Sequence, residues 1–169
     1  IPIPSDLLEL LSNYVEELSL TDLKEFKSDV IGTMYERLIP KDERKGLGQY
    51  YTPPQIVEFI TRMCISKPTD TVLDPCCGSG GFLVKAYHDL LALKRSENPL
   101  LDYKSTHKQL LEQIHGIEIN QFPAHLSTIN LAIQNVQSLA DEISILTRDF
   151  FKVKPEQLFD CIVANPPYV

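Results

Sequence analysis

The residues able to do chemistry sit just past short apolar runs. Thr71-Val72-Leu73 gives way to Asp74-Pro75-Cys76-Cys77-Gly78-Ser79-Gly80-Gly81, whose glycines let the backbone turn tightly and bring its amides close to a ligand. Gly116-Ile117-Glu118-Ile119 carries an acid able to accept both hydrogen bonds of a ribose diol. Asp149 with Phe150 follows a third run, Ile143 to Leu146, and offers an acceptor for an adenine amino group beside an apolar ring. A fourth run, Cys161 to Ala164, leads into Asn165-Pro166-Pro167-Tyr168. The two prolines fix φ and remove two donors, leaving the carbonyls of Asn165 and Pro166 to accept. Asn165 adds a side-chain carbonyl and Tyr168 a flat ring, a set that suits a planar amine held by its N–H hydrogens and stacked on its face.

Taken singly, each motif has an ordinary alternative: a ligand-free tight turn, a solvated strand-end acid, a helix N-cap, a plain turn. The glycine run is not GxGxxG, and Glu118 lies about twice as far downstream as the ~20 residues of a dinucleotide fingerprint. A helical insertion from Thr106 to Ile114 accounts for the extra length. Taken together, a glycine turn, a diol acceptor and an adenine acceptor describe a site for a nucleoside-containing cofactor.

The elements that must position these residues alternate. Thr52-Pro53 reads as a cap followed by a first-turn proline, starting a helix through about Ile65. A strand at Thr71–Leu73, a helix from Phe82 to Leu93, a turn from Asn98 to Asp102 and the inserted helix precede a strand at Gly116–Ile119. Phe122 to Val136 is helical, with Pro123 tolerable in its first turn, and two more strands follow. Strands separated by helices predict a parallel sheet covered on both faces, with ligands beyond the carboxyl ends of the strands. Before it, Ser5 to Ile39 has helical periodicity in two segments, and Lys41 to Tyr51 reads as a charged loop with Gly46 and Gly48. The expected division is an N-terminal helical segment, 1–40, and the sheet domain, 41–169.

The 169 residues are 43% hydrophobic and 23% charged, the balance of one globular unit rather than a disordered chain. No apolar run approaches the ~18 residues of a spanning helix, and no signal-peptide pattern opens the chain, so a cytoplasmic protein without membrane association is expected. The formal net charge of -7 has the wrong sign for gripping phosphates, so any nucleic acid must be held largely by something else. Cys64, Cys76, Cys77 and Cys161 form no CxxC pair and the four histidines are scattered, which argues against a zinc site or disulfide scaffold. A first residue other than Met and a strand-like run close to the last residue suggest a piece of a longer protein.

Gly48-Gln49-Tyr50-Tyr51-Thr52-Pro53, then Asp74 to Phe82, Glu118, Asp149-Phe150 and Asn165-Pro166-Pro167-Tyr168 resemble, in that order, the N6-adenine DNA methyltransferases. The likeness is strongest to modification subunits of type I restriction-modification systems and related fused restriction/methylation enzymes, and takes in Gly32 to Ile39. It implies a class I S-adenosylmethionine-dependent, Rossmann-like α/β sheet, here stopping after the fourth strand, with N-terminal helices. Gln49, Tyr50, Tyr51, Thr52 and Pro53 would close over the methionine end of the cofactor. The turn carrying Asp74, Cys76, Gly78, Ser79 and Gly80 would pass beneath it. Glu118 would take the ribose hydroxyls with Ile119 against the adenine ring, and Asp149 with Phe150 would bind the adenine edge. Asn165, Pro166, Pro167 and Tyr168 would hold a target adenine flipped from double-stranded DNA. Implied partners are a specificity subunit or fused target-recognition domain and a restriction subunit, in a bacterial or archaeal cell. Because family members continue beyond this point, the fragment alone is expected to be inactive. Two other readings keep some of these features: methyl transfer to protein glutamine or ribosomal RNA, and a non-catalytic cofactor-binding or assembly module. The order of the Tyr-Thr-Pro segment before the glycine turn looks like the DNA enzymes.

Overall fold

The structure, a computed structural model, describes residues 52–135, 142–154 and 157–167. The expected N-terminal helices, the charged loop, Gln49, Tyr50, Tyr51, Val136 and Tyr168 lie outside the described residues.

Helix α1, Pro54–Cys64, starts one residue later than the Thr52 cap would place it. Pro53 is the N-cap, and Pro54 in the first turn has no N–H needing a partner. Thr52 is thereby released from capping. After α1, Asp70 Oδ2 accepts from the amides of Ser66 and Lys67, each at 2.8 Å, closing a turn into β1, Val72–Asp74. Helix α2, Gly81–Glu97, runs one turn beyond the apolar stretch; Lys94 and Arg95 in its last turn complement the helix dipole. Its N-cap, Gly80, has φ +95, a left-handed conformation that a side chain would strain.

Helix α3, Tyr103–Gln113, is capped by Asp102, whose side chain accepts from the Ser105 amide. Strand β2, Ile114–Glu118, begins on the next residue, two positions before the sequence reading placed it. Helix α4, Gln121–Ala132, tolerates Pro123 in its first turn and tightens into a 3-10 turn at Ile133–Asn135. Strands β3, Ser144–Thr147, and β4, Cys161–Ile162, complete the sheet.

All pairings are parallel and the strand order is β3-β2-β1-β4, with Val72 opposite both Ile114 and Cys161. Asp160 Oδ2 accepts from both the amide and hydroxyl of Thr71 at 2.8 Å, joining the beginnings of β1 and β4. Order reverses at β1, so the crevice available to a ligand opens between the ends of β1 and β4.

One core cluster combines Val57 of α1, Leu83 and Leu90 of α2, Leu110 of α3 and Leu131 of α4 with Val72, Ile114, Cys161 and Val163. All four described helices contribute to this one cluster. Right-handed crossovers from β1 to β2 to β3 put their helices on the same side, and only the return from β3 to β4 crosses the other. Among its described residues that return contains one 3-10 turn, Phe150–Lys152. On the second face Phe159 packs edge-on to His115, while Ile162 remains 62% exposed.

Candidate functional site

Parallel strands bring all four carboxyl ends to one edge. At the end of β1, Asp74 is 1% exposed and its Oδ1 accepts from the Cys76 amide at 3.1 Å. Burial pushes its carboxyl up to about 7; the Cys76 amide opposes this and the nearby Glu118 charge adds to it. The turn then crosses to β2, where the Cys77 amide donates to the Ile117 carbonyl at 2.9 Å. Gly78, at φ +54, donates its amide to Glu118 Oε2 at 3.0 Å, and the Asn120 amide reaches Oε1 at 2.8 Å. Glu118 is thus buried but satisfied. Each of its oxygens keeps a second lone pair for a further donor.

The cysteines of this turn are not nucleophiles at neutral pH. Burial, with Asp74 and Glu118 nearby, pushes the Cys76 thiol up to about 12, and burial with Asp74 raises Cys77 as well. Asp74 and Glu118 together make a locally electronegative floor beneath the turn. A side chain at Gly78 would enter open space, with nothing within 4 Å of an added Cβ. The donor set, an acid reluctant to ionise without a counter-charge and a second with spare lone pairs, fits a cationic group carrying a diol.

Ile119 follows Glu118 and is 63% exposed, an apolar surface at the mouth of the site. The Arg148 amide donates to the Glu118 carbonyl at 2.9 Å, which seats the end of β3 beside Glu118. Asp149 comes next. Its carboxylate caps the 3-10 turn, accepting from the Phe151 amide at 3.0 Å, and lies 3.2 Å from Lys152 Nζ. The cap is therefore present, and any adenine acceptor role uses the lone pairs it leaves. Phe150 is 43% exposed, its ring edge-on to Phe151.

On the other side of β1, Asn165 follows β4 and donates its Nδ2 to Thr52 Oγ1 at 3.0 Å, across 113 positions of sequence. The freed cap residue thus meets the proline motif, and the Thr52-Pro53 segment lies against the end of β4. Pro166 and Pro167 extend past it without regular structure. Two residues of α4, Ser127 and Asn130, are buried beneath the glycine turn, and Asn130 Nδ2 donates to the Ser79 carbonyl at 2.9 Å. The sequence reading missed both. The available signal was two polar residues one turn apart on an otherwise apolar helical stripe.

Known proteins resemble this chain over most of its length. Residues 26–169 match the family described as N-6 DNA Methylase. The EcoEI type I restriction enzyme methylase subunit of Escherichia coli is 28% identical over 96% of this chain and 32% of its own length. The StySJI methylase subunit of Salmonella typhimurium is 30% identical over 82% of this chain and 26% of its own. Among solved structures, a chain of a type I restriction-modification system superposes with TM-score 0.57 at 27% identity, over 81% of this chain and 27% of that one. The chain thus spans about a third or less of the relatives it matches. With the family match covering most of its length and the parallel sheet in common with a solved relative, this chain belongs to the N-6 DNA methylase family.

Proposed function

We propose that this chain carries the cofactor site and the catalytic motif of a DNA adenine-N6 methyltransferase of a restriction-modification system, with S-adenosylmethionine as methyl donor. The observation that carries the reading is the closure of Glu118 on the Gly78 amide, which joins the glycine turn and the acid, 40 positions apart, into one cradle. Asp74 and Glu118 supply the negative floor, Ile119 and Phe150 the apolar walls for adenine, and Asp149 an acceptor at its edge. Gln49, Tyr50, Tyr51, Thr52 and Pro53 form the cover.

The sulfonium supplies a methyl group already activated for transfer, so no side chain must become a strong nucleophile. Asn165 Oδ1 and the Pro166 carbonyl accept the two N–H hydrogens of the target amine and draw its lone pair out of ring conjugation. With Nδ2 directed at Thr52, Oδ1 points the other way, the orientation an acceptor needs. Pro167 keeps the segment extended and Tyr168 stacks on the extruded base, worth about 1–3 kcal/mol by analogy with single-strand binders. Positioning of this kind lowers barriers by about 7–11 kcal/mol when complete. The net charge of -7 implies that the DNA backbone is gripped mainly by a partner, a specificity subunit or fused recognition domain, with a restriction subunit in the same assembly.

Calorimetry with S-adenosylmethionine, then transfer of tritiated methyl to duplex DNA, RNA and a release-factor-like protein in the presence of the specificity partner, tests the reading. Label in the adenine N6 of DNA is the expected result. Label in RNA or protein glutamine overturns the substrate, and cofactor binding without transfer to any acceptor leaves a binding module.

A further inference from the structure

We propose that Asn130, backed by Ser127, is a positioning residue that sets the shape of the glycine turn from outside the site. The inference rests on the cofactor reading above. Asn130 is 2% exposed and Ser127 fully buried, both on the face of α4 turned to the β1–α2 turn. A buried amide in mid-helix is costly unless bonded. Asn130 Nδ2 donates to the Ser79 carbonyl, and the Gly80 amide, the other end of the same peptide group, donates back to the Cys77 carbonyl at 2.8 Å. The Ser79–Gly80 peptide plane is therefore held at both edges and cannot flip. Ser127 fixes its depth: a Cβ on Gly80 would fall 2.6 Å from Ser127 Oγ and 3.2 Å from its Cα, so the turn rests directly on the helix. One residue before this plane, Gly78 points its amide to Glu118. Flipping or lifting the plane would move the one amide that ties the turn to the acid. Asn130 is buried behind the turn, so its effect falls on cofactor affinity and not on the chemical step.

The test uses the full chain with its specificity partner. Replacing Asn130 by Ala removes its hydrogen bond to the Ser79 carbonyl and is expected to raise the cofactor Kd about tenfold, the equivalent of ~1.4 kcal/mol. KM for the cofactor rises in parallel, and kcat at saturating cofactor stays within about twofold of wild type. Leu131→Ala, in the adjacent core position, is the control for lost stability: it lowers the melting temperature but keeps the cofactor Kd. Asn130→Asp keeps the shape and replaces the donor by an ionisable acid; its Kd relative to wild type grows with pH as the acid loses the proton it could donate. That variant, assayed at low pH, keeps the test available if Asn130→Ala does not fold. Failure of wild type to bind S-adenosylmethionine overturns the functional reading. Wild-type binding with an unchanged Kd in both Asn130 variants overturns the positioning role, as does an equal loss in Leu131→Ala.

Discussion

A carboxyl group at Asp74 that ionises only near pH 7 makes the fold and the ligand site answer to the same proton. The sign follows from linkage. The folded-state value is raised from 3.8 to about 7, so the folded form holds a proton that the unfolded chain releases, and stability present below about pH 4 declines until about pH 7. A gap of about 3 pKa units at ~1.4 kcal/mol each amounts to about 4 kcal/mol between those limits, with no further loss above them. Asp74→Asn keeps the shape, removes the ionisation, and can still accept from the Cys76 amide. Urea denaturation of both proteins from pH 5 to 8 measures the difference, in which other titrating groups cancel. About a third of that change lies below pH 5, so across this window Asp74→Asn is expected to gain on wild type by roughly 2–3 kcal/mol as pH rises, and to be the more stable protein at pH 8. A cationic ligand favours the ionised form, so wild-type affinity for S-adenosylmethionine should increase from pH 6 to 7.5 and that slope should vanish in Asp74→Asn. A stability difference that is flat with pH, or one that moves in favour of wild type, would refute the assignment of desolvation as the dominant cause.

Three further outcomes are expected. Thr52→Val removes the hydroxyl that receives Asn165 Nδ2; kcat at saturating cofactor should fall about fivefold, as for loss of ~1 kcal/mol of hydrogen bonding, with Thr52→Ser restoring the rate. Asn165→Ala, measured by tritium transfer to DNA and by calorimetry, should lower transfer by a factor of about 100 or more while retaining cofactor affinity; a large loss of affinity instead would remove Asn165 from the target-base side. Gly80→Ala should destabilise the fold by at least about 1–3 kcal/mol from backbone strain alone, before the contact with Ser127 is counted; a change under about 0.5 kcal/mol in chemical denaturation would mean the turn can retreat from α4.

Much of the architecture is legible because buried parallel strands announce themselves as apolar runs, and polar residues immediately after them have few reasons to be there except turns and ligands. Val72, Ile117 and Cys161 all lie in strands, and Asp74 and Glu118 stand at strand ends as the sequence indicates. Boundaries were less legible where two elements abut: Ile114 continues the periodicity of α3 yet belongs to β2. Periodicity also cannot tell which face a helix covers, nor that Ile162 of β4 is exposed. Long-range side-chain partners were invisible. Thr52 has the residue type and neighbours of a helix cap, and only folding reveals that its hydroxyl meets Asn165. Asn130 and Ser127 interrupt an apolar helical stripe, which marks them as unusual, but nothing local names Ser79 as the partner, a contact made across 51 positions.

The junction of α3 and β2 has no spare residue between Gln113 and Ile114, and Gln113 Nε2 is bonded to the carbonyls of Pro68 and Asp70 at 3.0 and 2.9 Å. The stretch from Tyr103 to Glu118 is therefore a stiff lever anchored at its elbow. Length variation can be absorbed at the Asn98–Asp102 bend, but one added residue at the elbow would advance the strand by a single step and turn Glu118 to the opposite side of the sheet, away from Gly78. Related chains should accordingly lengthen or shorten before the helix and hold the elbow constant.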